Sequence, residues 1–189
     1  MVLTVIVPDD RPGMQRMLAG ELQNINNQII YDTWRSGLEK ARGDFILLLE
    51  HDSAIERGGV ERLLYPFLEN PHFRKLAMVS PMVEFEDTDP TSLSYHDTFL
   101  SSGYHSVRYG SIAGAIIRQH SLMKYAHLLV DDVIDSSYDI SLEFWEHGLR
   151  VMNDPQALYY SPSTWSSYVK KNKAVSDKLK TLWEQECVA

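Results

Sequence analysis

The sequence predicts an α/β domain built on a largely parallel sheet with helices on both faces. Two apolar runs, Leu3–Val7 and Phe45–Leu49, are continuous instead of alternating, as in strands covered on both sides. The segments between and after them carry apolar residues at every third or fourth position, the helical period. The resulting order is strand, helix, short strand, helix, strand, helix, strand. Parallel neighbours need crossovers of that length.

Each element has its own local reason. Leu3–Val7 is β-rich and stopped by Pro8; Arg11–Leu22 follows with Met14, Met17, Leu18 and Leu22 at helical spacing. Ile29–Tyr31 is a very short strand after a polar break. Asp32 or Thr33 caps a helix through Ala41, with Gly43 ending it. Phe45–Leu49 is the strongest strand. Gly58-Gly59 opens a helix carrying Val60, Leu63, Leu64, Phe67 and Leu68, which Pro71 ends, and Leu76–Val79 is a strand stopped by Pro81. The stretch from Glu84 to Tyr109 breaks the pattern and is expected to be a long surface or acceptor-side loop. Ser111–Arg118 is a strand with a small-residue start, and Ser121–Leu129 is helical. Tyr138–His147 is a second convincing helix with Gly148 at its C′ position. Arg150–Met152 and Ala157–Tyr160 are short strands separated by Asn153-Asp154-Pro155. A C-terminal amphipathic helix is expected over 166–187. With neither repeat nor low-complexity linker, residues 1–189 are expected to form one domain.

Composition narrows the function. The chain of 189 residues is 44% hydrophobic and 23% charged, which excludes a disordered chain. Its 18 Lys+Arg against 26 Asp+Glu give a formal charge of -8, which argues against a nucleic-acid partner. No basic stretch with interleaved aromatics supports one either. The single cysteine, Cys187, permits neither an internal disulfide nor a thiolate zinc site. Met1–Pro8 is too short and lacks the basic lead of a signal peptide. No run approaches the ~18 apolar residues of a membrane span. A cytoplasmic protein without a transmembrane segment is the expectation.

The informative stretch is Ala41-Arg42-Gly43-Asp44-Phe45-Ile46-Leu47-Leu48-Leu49-Glu50-His51-Asp52. The apolar run crosses the core, and Glu50 and Asp52 stand where it emerges. Ligands of parallel α/β sheets collect beyond the C-terminal strand ends. If extended geometry continues, both carboxylates face one side and His51 the other. Two oxygen ligands so placed suit Mg²⁺ or Mn²⁺ bridging to a diphosphate. A solvated polar turn is the alternative. Other grammars are missing: no G-x-G-x-x-G, no G-x-x-x-x-G-K-[ST], and no Gly-x-Ser-x-Gly elbow.

Taken in order, four segments resemble the inverting family 2 glycosyltransferases with the GT-A fold. Thr4-Val5-Ile6-Val7-Pro8-Asp9-Asp10-Arg11-Pro12 resembles the opening strand and loop, and Gly37–Asp52 resembles the run into the Asp-x-Asp strand end. Ala113-Gly114-Ala115-Ile116-Ile117-Arg118 is similar to the small-residue strand on the acceptor side. Asp139–Val151 resembles the later helix and strand, with Pro155 and Ala157 after it. The resemblance implies a GT-A-like mixed, mostly parallel sheet. It also implies a sugar moved, with inversion, from a UDP- or GDP-type nucleotide sugar to a hydroxyl acceptor. It places Pro8, Asp10 and Arg11 beside the base and ribose, with Asp32 helping to hold the nucleotide. Glu50 corresponds to the first acid, facing ribose or metal, and Asp52 to the second, a direct ligand of Mn²⁺ or Mg²⁺.

The chain departs from that pattern where the catalytic base is expected. The family's Glu-Asp pair is replaced by Ser136-Ser137, and serine cannot act as a general base unaided. Asp139 is the preferred substitute, with Asp135, or Asp131 and Asp132, as others. Such a carboxylate must come within hydrogen-bond reach of the acceptor hydroxyl. Asp139 would equally serve as a helix N-cap. The same departure motivates a second reading, a catalytically inactive GT-A-like nucleotide-binding or structural protein. A nucleotidyltransferase is disfavoured because Arg11 and Gly13 offer only a faint version of its basic, glycine-rich loop.

Overall fold

The structure is a computed structural model, and it describes residues 1–8, 10–69, 74–85, 105–107, 110–130 and 133–162. Among the described residues eight strands form one mixed sheet: β1 (Leu3–Val7), β2 (Asn27–Tyr31), β3 (Phe45–Leu48), β4 (Ala54–Ile55), β5 (Leu76–Phe85), β6 (His105–Val107), β7 (Ile116–Arg118) and β8 (Arg150–Ser161). Their order is β2-β1-β3-β7-β5-β8-β4, with β6 beside β8. The pairs β1–β2, β1–β3 and β5–β8 are parallel; β7 runs antiparallel between β3 and β5. Strands β4 and β6 are antiparallel to β8.

Helices cover both faces, as the sequence predicts. On one side α1 (Pro12–Glu21) and α3 (Gly59–Glu69) bring Met14, Leu18, Val60, Leu63 and Phe67 onto Leu3, Val5, Leu47 and Val79. On the other, α2 (Trp34–Lys40), α4 (Gln119–Lys124) and α5 (Val133–Glu146) bring Leu38, Leu122, Ile140 and Phe144 onto Ile6, Ile46, Leu48 and Met78. Period-two alternation divides β1 and β3 between two cores, which is why β3 is apolar throughout and β1 is apolar but for the buried, hydrogen-bonded Thr4. Helix α2 lies close because Gly37 has no Cβ: one built there would meet Ile6 Cγ2 at 2.4 Å.

Several boundaries differ from the sequence expectation. Strand β5 does not stop at Pro81 but runs to Phe85, because the ladder slips between Pro81 and Met82. A missing N–H costs least at such an irregularity. Asn153-Asp154-Pro155 does not split β8 in two. Pro81 pairs with Asp154 and Met82 with Leu158, leaving Pro155, Gln156 and Ala157 as a bulge. Buried Asp154 holds it, with Arg62 Nη2 at 3.0 and 2.9 Å from its two oxygens and the Gln156 N–H donating to it at 3.0 Å. Within the expected loop 84–109, Glu84 and Phe85 finish β5 and His105–Val107 is a strand. The rest of that loop lies outside the described residues, as does the expected helix over 166–187. Ser111–Ala115 precedes β7 as an irregular segment in which Gly114 takes φ +71° and Ala113 bridges Leu48. Helix α5 starts at Val133, well before Tyr138. Among the described residues no helix is long and apolar enough to cross a membrane.

Candidate nucleotide site

A cleft of about 630 Å³ opens at the C-terminal ends of β1 and β3. Pro8 comes from the end of β1, and Thr33, Trp34 and Arg35 from the start of α2. Glu50 and His51 come from the end of β3, and Leu129, Val130 and Pro162 close the far side. The sequence of β3 explains the location: its apolar run ends inside the core, so the next residues must emerge at the sheet edge. Trp34 is fixed by its indole N–H, which donates to the Leu49 carbonyl at 2.7 Å. That bond leaves an aromatic ring as part of the cleft wall.

Glu50 is held by β8. Its Oε2 accepts hydrogen bonds from the Tyr159 hydroxyl at 2.9 Å and the Ser161 hydroxyl at 2.8 Å. The Tyr159 oxygen in turn accepts from the Glu50 backbone N–H at 3.1 Å. Tyr159 is fully buried, and burial raises its hydroxyl pKa well above the ordinary value, with the nearby Glu50 charge adding to the effect. It therefore acts as a neutral donor. Gly114 makes room for its ring, since a Cβ there would lie 2.5 Å from Tyr159 Cδ2.

Asp52 behaves differently. Its backbone turns into the left-handed region, φ 61°, so period two does not carry from Glu50 to Asp52. His51, expected to face away, shares the cleft wall with Glu50. Asp52 lies outside that wall, half exposed, with Oδ1 bonded to Arg11 Nη2 and Oδ2 2.8 Å from His51 Nδ1. Asp32 also turns away from the cleft. It accepts from Lys40 Nζ, from the Ser36 hydroxyl at 2.8 Å and from the Thr33 N–H at 2.8 Å. The Lys40 ammonium first, then these two donors, hold its carboxyl pKa down to about 2. Asp10 is exposed, and its carbonyl accepts from the Gln15 amide at 2.6 Å.

Of the residues the sequence nominates, the structure thus brings Pro8 and Glu50 into the cleft wall, and Arg11 with Asp52 into one cluster at its His51 rim. Asp10 and Asp32 stand outside the wall. Asp139 is half-buried inside α5 and does not line the cleft. It is no N-cap, since the helix begins before it. Asp135 lies on the same helix with its side chain outside the described part; Asp131 and Asp132 lie outside it altogether. Ser136 and Ser137 are buried and hold backbone. The Ser136 hydroxyl donates to the Val130 carbonyl at 3.1 Å and accepts its N–H at 2.9 Å, while Ser137 accepts the Ile112 N–H at 3.0 Å. Sequence reasoning missed Trp34, Arg35, His51, Tyr159 and Ser161. For Arg35 a signal existed, a cation in the first turn of a helix, where the dipole disfavours it. For Tyr159 none did, because it stands 109 positions along the chain from Glu50.

The donor set does not make a ready metal site. Among the described residues no group of three or more His, Cys, Asp and Glu could hold an ion. Asp52 already serves a guanidinium and an imidazole, and Glu50 two hydroxyls.

No family model matches the sequence, and no curated protein matches it. Solved structures do share its architecture. The crystal structure of GalNAc-T7 with UDP, GalNAc and Mn²⁺ superposes with a TM-score of 0.54 at 9% identity, over 87% of this chain and 44% of that one. That of S. aureus TarS 1-349 in complex with UDP gives 0.50 at 11% identity, over 86% and 61%. The fold is of the GT-A type. The chain spans less than two thirds of the length of either protein.

Proposed function

We propose that the chain is a glycosyltransferase of the family 2 kind, moving a sugar with inversion from a UDP- or GDP-type donor to a hydroxyl acceptor. The observation that carries this reading is the cleft at the ends of β1 and β3, walled by Pro8, Trp34, Arg35 and Glu50 within a GT-A-type fold. Ligands of open α/β sheets bind at that edge. Trp34 offers the base or ribose a flat apolar face, and Glu50, already oriented by two hydroxyls, suits a ribose hydroxyl. Pro8, Asp10 and Arg11 border the nucleotide from the first loop, and Asp32 braces α2 behind it. Asp139 or Asp135 takes the acceptor proton as the sugar–phosphate bond breaks. The protein works in the cytoplasm.

One observation favours a second reading, a nucleotide-binding protein without turnover: the Ser136 and Ser137 hydroxyls are committed to backbone groups. Calorimetry with a panel of UDP- and GDP-sugars, paired with assays of donor hydrolysis and transfer, separates the two. Saturable binding with turnover that Asp139→Asn or Asp135→Asn removes supports the transferase. Binding without turnover supports the second reading. Trp34→Ala should weaken binding about tenfold, as expected for loss of one stacked base. No binding by any nucleotide sugar at millimolar concentration would sink both.

A further inference from the structure

The first loop and the β3 end meet in a cluster that changes what Asp52 can do. Arg11 precedes α1 and reaches Asp52 Oδ1, while His51 takes Oδ2 at 2.8 Å. Resting on the nucleotide-sugar reading, we propose that Arg11 supplies the positive charge for the donor diphosphate and that Asp52 positions this guanidinium instead of ligating a divalent cation.

The argument is one of competition for a single carboxylate. A Mg²⁺ or Mn²⁺ ion bound by Asp52 would have to displace a charge-assisted pair and then sit beside the displaced guanidinium. Among the described residues nothing assembles a three-ligand group to offset that cost. Glu50, the nearest other acid on the strand end, has its Oε2 committed to Tyr159 and Ser161. A guanidinium carries a permanent charge and donors spread around a plane, so it can bridge a carboxylate on one edge to phosphate oxygens on another. Its place is suitable: the side chain is half exposed, 3.5 Å from the Nδ1 of His51 on the cleft wall. Arg35 adds a second cation, on the cleft wall itself. A chain with a formal charge of -8 attracts a diphosphate only through such local cations.

The test is calorimetric titration of the full chain with UDP and with GDP, in EDTA and again in MnCl₂. The dissociation constants should agree between the two buffers within about threefold, well inside the tenfold that 1.4 kcal/mol represents. In EDTA, Arg11→Ala should weaken binding roughly tenfold or more, and Arg11→Lys should recover only part of it, because a point donor replaces a planar fork. Asp52→Asn should weaken binding in EDTA by a smaller factor and leave it equally indifferent to Mn²⁺. Circular dichroism of each variant confirms that it is folded. Binding that Mn²⁺ tightens tenfold or more, with the gain lost in Asp52→Asn, would make Asp52 a metal ligand and overturn the proposal while leaving the nucleotide reading intact. Unchanged binding in Arg11→Ala would overturn it too. If neither nucleotide binds in either buffer, the nucleotide reading itself falls and the proposal with it.

Discussion

Glu50 and Asp52 leave the same strand end and are held in opposite ways. Glu50 is gripped by two neutral hydroxyls from β8, one of them on a fully buried tyrosine. Asp52 is half exposed in a left-handed turn, its charge matched by the Arg11 guanidinium, with the ring of its neighbour His51 on the other oxygen. Hydroxyls orient a carboxylate without cancelling its charge, whereas a guanidinium does both. The acid on the cleft wall is the one oriented by hydroxyls. The acid whose charge is matched serves as an anchor for another group.

The contrast rests first on Tyr159. Gly114→Ala should be the most damaging change, because its Cβ would strike the tyrosine ring at a backbone angle, φ +71°, that alanine adopts poorly. Strain and overpacking together predict a loss of about 3 kcal/mol or more, read from the urea midpoint. A wild-type midpoint would mean that the ring is not pinned there, and the grip on Glu50 would be looser than described.

Tyr159→Phe comes next. It strips one donor from the Glu50 carboxylate and the acceptor from the Glu50 N–H, and should cost about 1–3 kcal/mol. Asp52→Asn removes an exposed ion pair and should cost about 1 kcal/mol or less, shrinking as salt is added. Asparagine tolerates the left-handed turn, so backbone strain does not confuse the comparison. If Asp52→Asn proved the costlier of the two, the assignment of grip and anchor would be reversed.

Asp32 gives the smallest and most specific effect. Lys40, Ser36 and the Thr33 N–H lower its folded pKa from 3.8 to about 2. A folded pKa below the unfolded one means the ionised form favours folding. Its contribution is complete above the unfolded pKa and fades as pH falls through 3.8 towards 2. Asp32→Asn should therefore flatten the stability profile in that window and leave its shape above it unchanged. Paired denaturation curves across the window measure this directly.

The layered architecture was legible because continuous apolar runs such as Leu3–Val7 and helical repeats such as Val60, Leu63, Leu64 and Phe67 report burial directly. The edge at which ligands collect was legible from β3 alone. Proline was the misleading signal: Pro81 and Pro155 read as stops, but both sit at the slip between β5 and β8, where a lost N–H matters least. Within the site, Asp52 could be read as an acid at the strand end but not as turned away from Glu50. Positive φ at a non-glycine residue leaves no trace in composition. Ser136 and Ser137 looked like a missing base and instead tie α5 to Val130 and Ile112, a role set by backbone groups outside the helix.

The bulge at Pro155–Ala157 has one more effect, on which way β8 looks. Before it, Val151 points into the core beneath α5; after it, Tyr159, a residue of the same parity, points into the core beneath α1 and α3. An odd insertion has inverted the phase of the strand, and this brings Tyr159 and Ser161 to Glu50. A slip of the ladder by one residue after the bulge would present Leu158 and Tyr160 in their stead. The pairing of Val83 with Tyr159 and of Phe85 with Ser161 thus decides which side chains reach the carboxylate.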